Sequence, residues 1–238
     1  MRLRAVLFDA GNTLLFLDYP RMAQAVGAAL DLPLTGEGLA AHASEASQAM
    51  ERAAGNDRER AAVYLEALFR ASGVPEDRIP EVRECLGRLH RERHLWCSVR
   101  ERTHEALSRL RAAGLRLGIV SNSDGRVEEA LAASGLRDLF DVVIDSGLVG
   151  VEKPDPAIFQ VALDALGVGP EEALYVGDLY DVDVGGARAA GIEAVLLTSS
   201  SPGPGRTCRT AGSIDELVDA LLPLETPMTS VSSPRGNR

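Results

Sequence analysis

Short apolar runs, each ending in a polar residue or a glycine, recur along this chain. Leu3–Phe8, Leu115–Val120, Val142–Ile144, Ala173–Val176 and Ala194–Leu197 are nearly continuous in apolar residues. Unbroken runs of this length are the pattern of strands buried on both faces of a parallel sheet. Between them the apolar positions recur at helical spacing, over Val99–Ala113, Val127–Ser134 and Ile158–Leu166. Each of these segments stops at a glycine, Gly114, Gly135 or Gly167. Glycine best tolerates the left-handed conformation just beyond a helix. Ser213 and Glu216 have capping-box spacing and open a last helix running to about Leu222. The alternation of strand and helix predicts an α/β fold with a doubly wound, Rossmann-like parallel sheet as its core.

Residues 18–98 break this rhythm. The stretch is rich in Ala, Glu, Arg and Leu, contains no convincing strand, and carries breaks near Pro33, at Gly55–Asn56 and over Gly73–Pro80. It reads as several helices inserted after the first strand. The predicted organisation is an α/β core of residues 1–17 and 99–225, a smaller all-helical cap domain of residues 18–98, and a Ser-, Pro- and Gly-rich tail, 226–238, expected to be disordered. Ser199–Gly205 reads as a flexible loop.

Charge narrows the class of partner. The 238 residues carry a formal net charge of -10. A polyanion would meet mostly repulsion, so nucleic-acid binding is not expected, while an anionic small molecule stays open because a metal or a local cation can reverse the field. The three cysteines are irregularly spaced, which suits neither a disulfide framework nor a zinc site and points to a reducing compartment. The first apolar run is too short for a signal peptide or a membrane span. The expectation is a cytoplasmic protein without a membrane partner, either monomer or homodimer. Of the 25 basic residues one alone is lysine, Lys153.

In open parallel sheets the site lies beyond the carboxyl ends of the strands. Those positions hold Asp9-Ala10-Gly11-Asn12-Thr13, Ser121-Asn122-Ser123-Asp124, Lys153-Pro154-Asp155-Pro156 and Gly177-Asp178, with Asp181 and Asp183 following. Each has a plain structural reading by itself. Asp9 suits a turn, Ser121 and Asp155 suit helix caps, Lys153 suits a solvated surface, and Asp178 and Asp183 suit a turn and a helix terminus. Together they read as chemistry. Carboxylates gathered on one rim repel each other unless a cation sits among them. Oxygen ligands beside a phosphate suit Mg²⁺. A carboxylate such as Asp9 can attack phosphorus. Ser121 and the N–H groups after it can hold phosphate oxygens, and Lys153 can offset charge on both nucleophile and phosphoryl group.

With these motifs in view, the chain resembles the haloacid dehalogenase superfamily of phosphatases and dehalogenases. Phe8-Asp9-Ala10-Gly11-Asn12-Thr13-Leu14 matches motif one and Val120-Ser121-Asn122 motif two. Lys153-Pro154-Asp155-Pro156-Ala157-Ile158-Phe159 matches motif three. Val176-Gly177-Asp178 through Asp183, then Gly186-Ala187-Arg188-Ala189-Ala190-Gly191, matches motif four. The resemblance implies Asp9 as nucleophile and Mg²⁺ ligand, the carbonyl of Gly11 as a second ligand, and Asp178 as a third, with Asp183 supporting the metal. It implies that Thr13 orients the nucleophile, that Ser121 and Asn122 bind the transferring group, and that Lys153 holds Asp9 and the phosphoryl oxygens. The function implied is Mg²⁺-dependent removal of phosphate from a small phosphorylated metabolite through an aspartyl-phosphate.

One position departs from the family. Its phosphatases carry a second aspartate two residues after the nucleophile, as general acid and base, and here that residue is Gly11. General acid–base catalysis supplies about 10² to 10⁴ in rate. The enzyme would then favour good leaving groups, or borrow an acid from the insertion, for which His90, His94 and Glu92 are candidates. The alternatives are different chemistry, or a phosphate-binding or interaction protein with weak or no catalysis. The family's dehalogenases also lack the second aspartate, but they carry a tyrosine in motif one and alter the Gly-Asp of motif four, which this chain keeps. The phosphonoacetaldehyde hydrolases use a cap lysine, which residues 18–98 do not contain.

Overall fold

A computed structural model describes residues 2–55, 57–198, 201, 203 and 205–222. The first strand, β1 (Ala5–Phe8), leads through β2 (Phe16–Leu17) into five helices: α1 (Tyr19–Leu30), α2 (Gly36–Ala41), α3 (Ala43–Arg52), α4 (Asp57–Ala71) and α5 (Ile79–Glu92). The chain returns through β3 (Trp96–Ser98) to α6 (Thr103–Ala112), β4 (Arg116–Ser121), α7 (Val127–Ala133), β5 (Val142–Asp145), α8 (Ser146–Val149) and α9 (Pro156–Leu166). It closes with β6 (Ala173–Gly177), α10 (Gly185–Ala189), β7 (Glu193–Leu197), β8 (Arg209–Ala211) and α11 (Ile214–Leu221).

Six strands form one sheet in the order β5-β4-β1-β6-β7-β8, with every neighbouring pair parallel. This is the doubly wound sheet expected from the apolar runs. Strand β1 lies in the middle, Ala5 pairing with both Arg116 and Ala173. The chain builds outward from β1 to β4 and β5, then crosses back to β6, so the strand order reverses beside β1. Such a reversal opens a crevice at the carboxyl ends of the central strands.

Each face of the sheet is covered by its own apolar cluster. Val6, Phe8 and Ile119 pack with Leu107, Leu131 and Leu217 on one side. Leu7, Val120 and Tyr175 pack with Phe159, Leu163 and Ala187 on the other. A third cluster, including Met22, Leu39, Leu68, Phe69 and Val82, is built from the inserted helices. The insertion expected to be all-helical, residues 18–98, ends in the strand β3; before it, among the described residues of 18–95, there is no strand.

Several local expectations reappear in the backbone. Gly114, Gly135 and Gly167 take φ values of +82°, +74° and +62°. Asp155 caps α9 by accepting from the N–H of Ala157, with Pro156 at the first helical position. Ser213 caps α11 through the N–H of Glu216. The helix expected over Val99–Ala113 starts later, at Thr103. Strand β8 and the pairing of β2 with β3 were not predicted. The segment Ser199–Gly205 and the tail 226–238 fall wholly or partly outside the described residues.

Candidate active site

Asp9 stands at the carboxyl end of β1, only 6% exposed. Its N–H donates to the carbonyl of Val176, which fixes the turn out of the strand. The ammonium of Lys153 donates to Asp9 Oδ1 at 2.6 Å, to Asp183 Oδ1 at 2.8 Å and to Tyr175 Oη at 2.9 Å. All three of its N–H donors are thereby used. The lone lysine is thus not a solvated surface charge. It is buried and bridges two carboxylates from different segments.

Asn122 holds the Lys153 loop. Its Oδ1 accepts from the Lys153 N–H at 2.7 Å, and its Nδ2 donates to the Lys153 carbonyl at 2.9 Å. Most of the Asn122 amide is therefore spent on positioning Lys153. Asp183 is similarly committed. Its Oδ1 also accepts from Tyr175 Oη and its Oδ2 from the N–H of Leu179, so a metal contact would use the remaining lone pairs. It lies on a π-helical turn, Tyr180–Val184, a form often found at functional sites. Gly177 makes room for it: a Cβ there would lie 2.4 Å from Asp183 Cγ.

Two residues of this network escaped the sequence reading. Tyr175 sits in an apolar strand, where an aromatic residue signals only a core position. Its hydroxyl nonetheless joins Lys153, Asp183 and the carbonyl of Val120, and burial, with the charge of Asp183, holds it protonated well above the ordinary tyrosine range. Asp145 ends β5 and is 2% exposed. It accepts from the N–H groups of Gly125, Val127 and Gly147, which shapes the loop after Ser121. Hydrogen bonds to a buried charge contribute about 1.5–3 kcal/mol each, but not additively. We expect Asp145→Ala to lower stability by about 3 kcal/mol and Tm by roughly 6–12 °C. An unchanged calorimetric Tm would refute this role.

A cavity of about 1010 Å³ collects the rest. It is lined by Asp9, Gly11, Ser121, Asn122, Lys153, Asp178 and Asp183 from the core, and by Leu65, Val82, Leu86, His90, His94 and Trp96 from the insertion and its return strand. Thr13 is not among the lining residues; it is 2% exposed, and its hydroxyl makes no hydrogen bond among the described residues, so the orienting bond expected of it is not made here. Of the three candidate acids, His90 and His94 face the cavity and Glu92 does not. The neighbour of Gly11 is Trp96, whose Cδ1 and Nε1 lie 3.7 Å from the position of a Cβ on Gly11. Among the described residues no acid lies within 4 Å of that position.

The charges do not balance. Asp9, Asp178 and Asp183 face a single ammonium. Burial raises the Asp9 carboxyl to about 6, with Lys153 opposing and Asp183 adding to the shift. Enclosure raises Asp178 well above the carboxylate range, reinforced by Asp9 and Asp183. Conversely the two carboxylates outweigh the burial of Lys153 and hold its ammonium charged. Excess negative charge on oxygen donors is what a hard divalent cation relieves. The donor set fits Mg²⁺.

The chain matches the haloacid dehalogenase-like hydrolases over residues 3–191. It belongs to that family. It is 41% identical over 151 residues to a phosphoserine phosphatase from Thermus thermophilus, covering 63% of this chain and 58% of that protein. It is 30% identical over 218 residues to haloacid dehalogenase-like hydrolase domain-containing protein 3 of Bos taurus, covering 85% of this chain and 84% of that one. Across the first two curated relatives it matches, the chain spans little more than half of their length. Among solved structures it resembles a phosphatase of the family from Thermococcus onnurineus, with a TM-score of 0.59, 27% identity, and coverage of 92% and 98%. Among the described residues no helix is long and apolar enough to cross a membrane.

Proposed function

We propose that this member of the family removes phosphate from a small phosphorylated compound, with Asp9 as nucleophile. One observation carries the reading: the Lys153 ammonium reaches the Asp9 carboxylate at 2.6 Å, on the floor of a cavity that also holds Ser121 and Asp178. A carboxylate oxygen of Asp9 attacks phosphorus as the bond from phosphorus to the leaving oxygen breaks, giving an aspartyl-phosphate. Water then attacks that phosphorus, releasing inorganic phosphate and restoring Asp9. Lys153 fixes the attacking carboxylate, and Asn122, Tyr175 and Asp183 fix Lys153. The Ser121 hydroxyl and the N–H groups beyond it hold phosphoryl oxygens. Mg²⁺, held by Asp9, Asp178 and the carbonyl of Gly11, would offset the charge of the carboxylates and of the phosphate. The inserted helices serve as a cap over the cavity.

Without an acid at Gly11, a departing oxygen must leave as the anion or take its proton from water. Acyl and aryl phosphates tolerate this, and sugar phosphates do not. Turnover of acetyl phosphate and p-nitrophenyl phosphate that requires Mg²⁺ is expected. Absence of turnover across a broad phosphate panel would overturn the reading. It would favour the second one, a phosphate-binding protein without catalysis, which draws on the absence of a side chain at Gly11, beside the indole of Trp96. Independently of turnover, Mg²⁺ at about 100 times its Kd should stabilise the fold by about 2.7 kcal/mol. Thermal shift should show this in the native chain and not in Asp178→Asn.

A further inference from the structure

A second group of ligands stands at the cavity wall, apart from the carboxylates around Asp9. His90 lies in the last turn of α5 and His94 four residues on, so both come from the insertion's return to the core. Asp124 comes from the loop after β4. Nε2 of His90 is 2.8 Å from Asp124 Oδ2, and Nε2 of His94 is 3.9 Å from Asp124 Oδ1. The two imidazoles pack with centroids 4.5 Å apart and planes at 59°, and both turn Nε2 to the same carboxylate. One ligand atom from each residue lies within 4.8 Å of the others. A tetrahedral ion bound at about 2.1 Å sets its ligands roughly 3.4 Å apart, between the two observed separations.

The surroundings already hold these three groups in place. Nδ1 of His94 is 3.2 Å from the carbonyl of Trp96. The same Nδ1 lies 3.2 Å from the Trp96 N–H, and His90 Nδ1 lies 3.4 Å from that of Leu95; a metal at Nε2 of His94 selects the tautomer in which Nδ1 keeps the proton and donates to the Trp96 carbonyl. Burial, helped by the charge of His90, keeps His94 below the usual histidine range and so neutral. Burial tends to raise the Asp124 carboxyl, but the His90 hydrogen bond, with Arg126 nearby, outweighs it and holds it below the usual carboxylate range. Arg126 lies nearby, and its guanidinium is occupied by two bonds with Glu129 and one to the His90 carbonyl. Asp124 precedes Gly125, whose N–H is tied to buried Asp145, so the loop is already fixed.

We propose that His90, His94 and Asp124 form a site for a divalent transition-metal ion of the zinc type. Two imidazoles and one carboxylate suit zinc and its borderline neighbours, with a fourth position left open, whereas Mg²⁺ prefers the all-oxygen set around Asp9. The ion would fasten the end of α5 to the loop carrying Ser121 and Asn122, and so tie the insertion to the core at the cavity wall. This inference does not depend on the phosphatase reading.

The test uses the full chain in excess Mg²⁺, with Zn²⁺ and Co²⁺ as probes. The chain has four histidines, so its imidazole carbon-bound proton signals are easily assigned by NMR. Stoichiometric Zn²⁺ should move the signals of His90 and His94 and leave those of His42 and His104 in place. Co²⁺ should give visible d–d absorption that Zn²⁺ displaces. The variant His90→Gln with His94→Gln should lose at least ~100-fold in Zn²⁺ affinity. Zn²⁺ that moves neither signal overturns the proposal, whether because it does not bind or because it binds at the cysteines. Affinity unchanged in the double variant, or abolished by Asp178→Asn, overturns it equally. The NMR arm needs no variant in the titrated sample, so a folding defect in the double variant leaves the proposal testable.

Discussion

Asp9→Asn is expected to abolish phosphate turnover while leaving the protein folded. The asparagine Oδ1 can still accept from Lys153, whose ammonium lies 2.6 Å from the corresponding atom of Asp9. What is lost is the anionic oxygen that attacks phosphorus. Removing a hydrolase nucleophile costs up to about 10⁶ in kcat. A fall of at least ~10⁴-fold, about 5.4 kcal/mol of barrier, is the expected result. The same change removes one negative charge from a cluster in which three carboxylates face one ammonium. Because the Asp9 carboxyl is held at about 6 by burial, the substitution relieves an unfavourable charge. Metal-free Asp9→Asn should therefore melt no lower than the native chain. Turnover within tenfold of native would remove Asp9 from the mechanism. A large drop in Tm would mean that the activity loss reports unfolding and that the charge argument is wrong.

The second large effect is a gain. Gly11→Asp restores a carboxyl where an acid is missing, and the site has space for it. Among the described residues a Cβ at Gly11 would meet only Trp96, at 3.7 Å, which is ordinary contact. The new carboxyl would stand among other negative charges, which raises its pKa and suits it to donate a proton. Rates on alkyl phosphates, whose leaving oxygen needs that proton, should rise by about 10² to 10⁴. Acetyl phosphate, whose leaving group departs unaided, should change little. Parallel assays of the two substrates read the difference directly. An equal change in both, or none in a variant of native Tm, would show that the missing acid does not limit the enzyme.

The two predictions depend on features of different legibility. Asp9 and Lys153 could be singled out from the chain because they stand where apolar runs end, and because Lys153 has no other lysine to hide among. The neighbour of Gly11 could not. Trp96 is remote in sequence and reaches Gly11 only because the insertion returns to the core through β3. Tyr175 reads as one more apolar position of a buried strand, and its hydroxyl acquires a role only when Lys153 and Asp183 arrive beside it. Asp145 reads as the polar end of a strand; that it ties down the loop after β4 follows from the neighbouring register of β4 and β5, in which Ser121 pairs with Asp145. Strands β2, β3 and β8 span two or three residues each, too few for any periodicity to show.

By itself the sequence determined the layered α/β core, the parallel sheet, the helix ends marked by glycine and the four segments that carry the polar residues. These follow from local chemistry: side-chain period, backbone freedom and capping act over a few neighbours. Tertiary structure decided how those residues divide their work. It gave the three donors of Lys153 to Asp9, Asp183 and Tyr175, turned the Asn122 amide to the Lys153 backbone, set Trp96 beside Gly11, and brought two histidines of the insertion to an aspartate of the core. Each of these depends on atoms brought within 4 Å by packing between distant segments, and no local pattern encodes that approach.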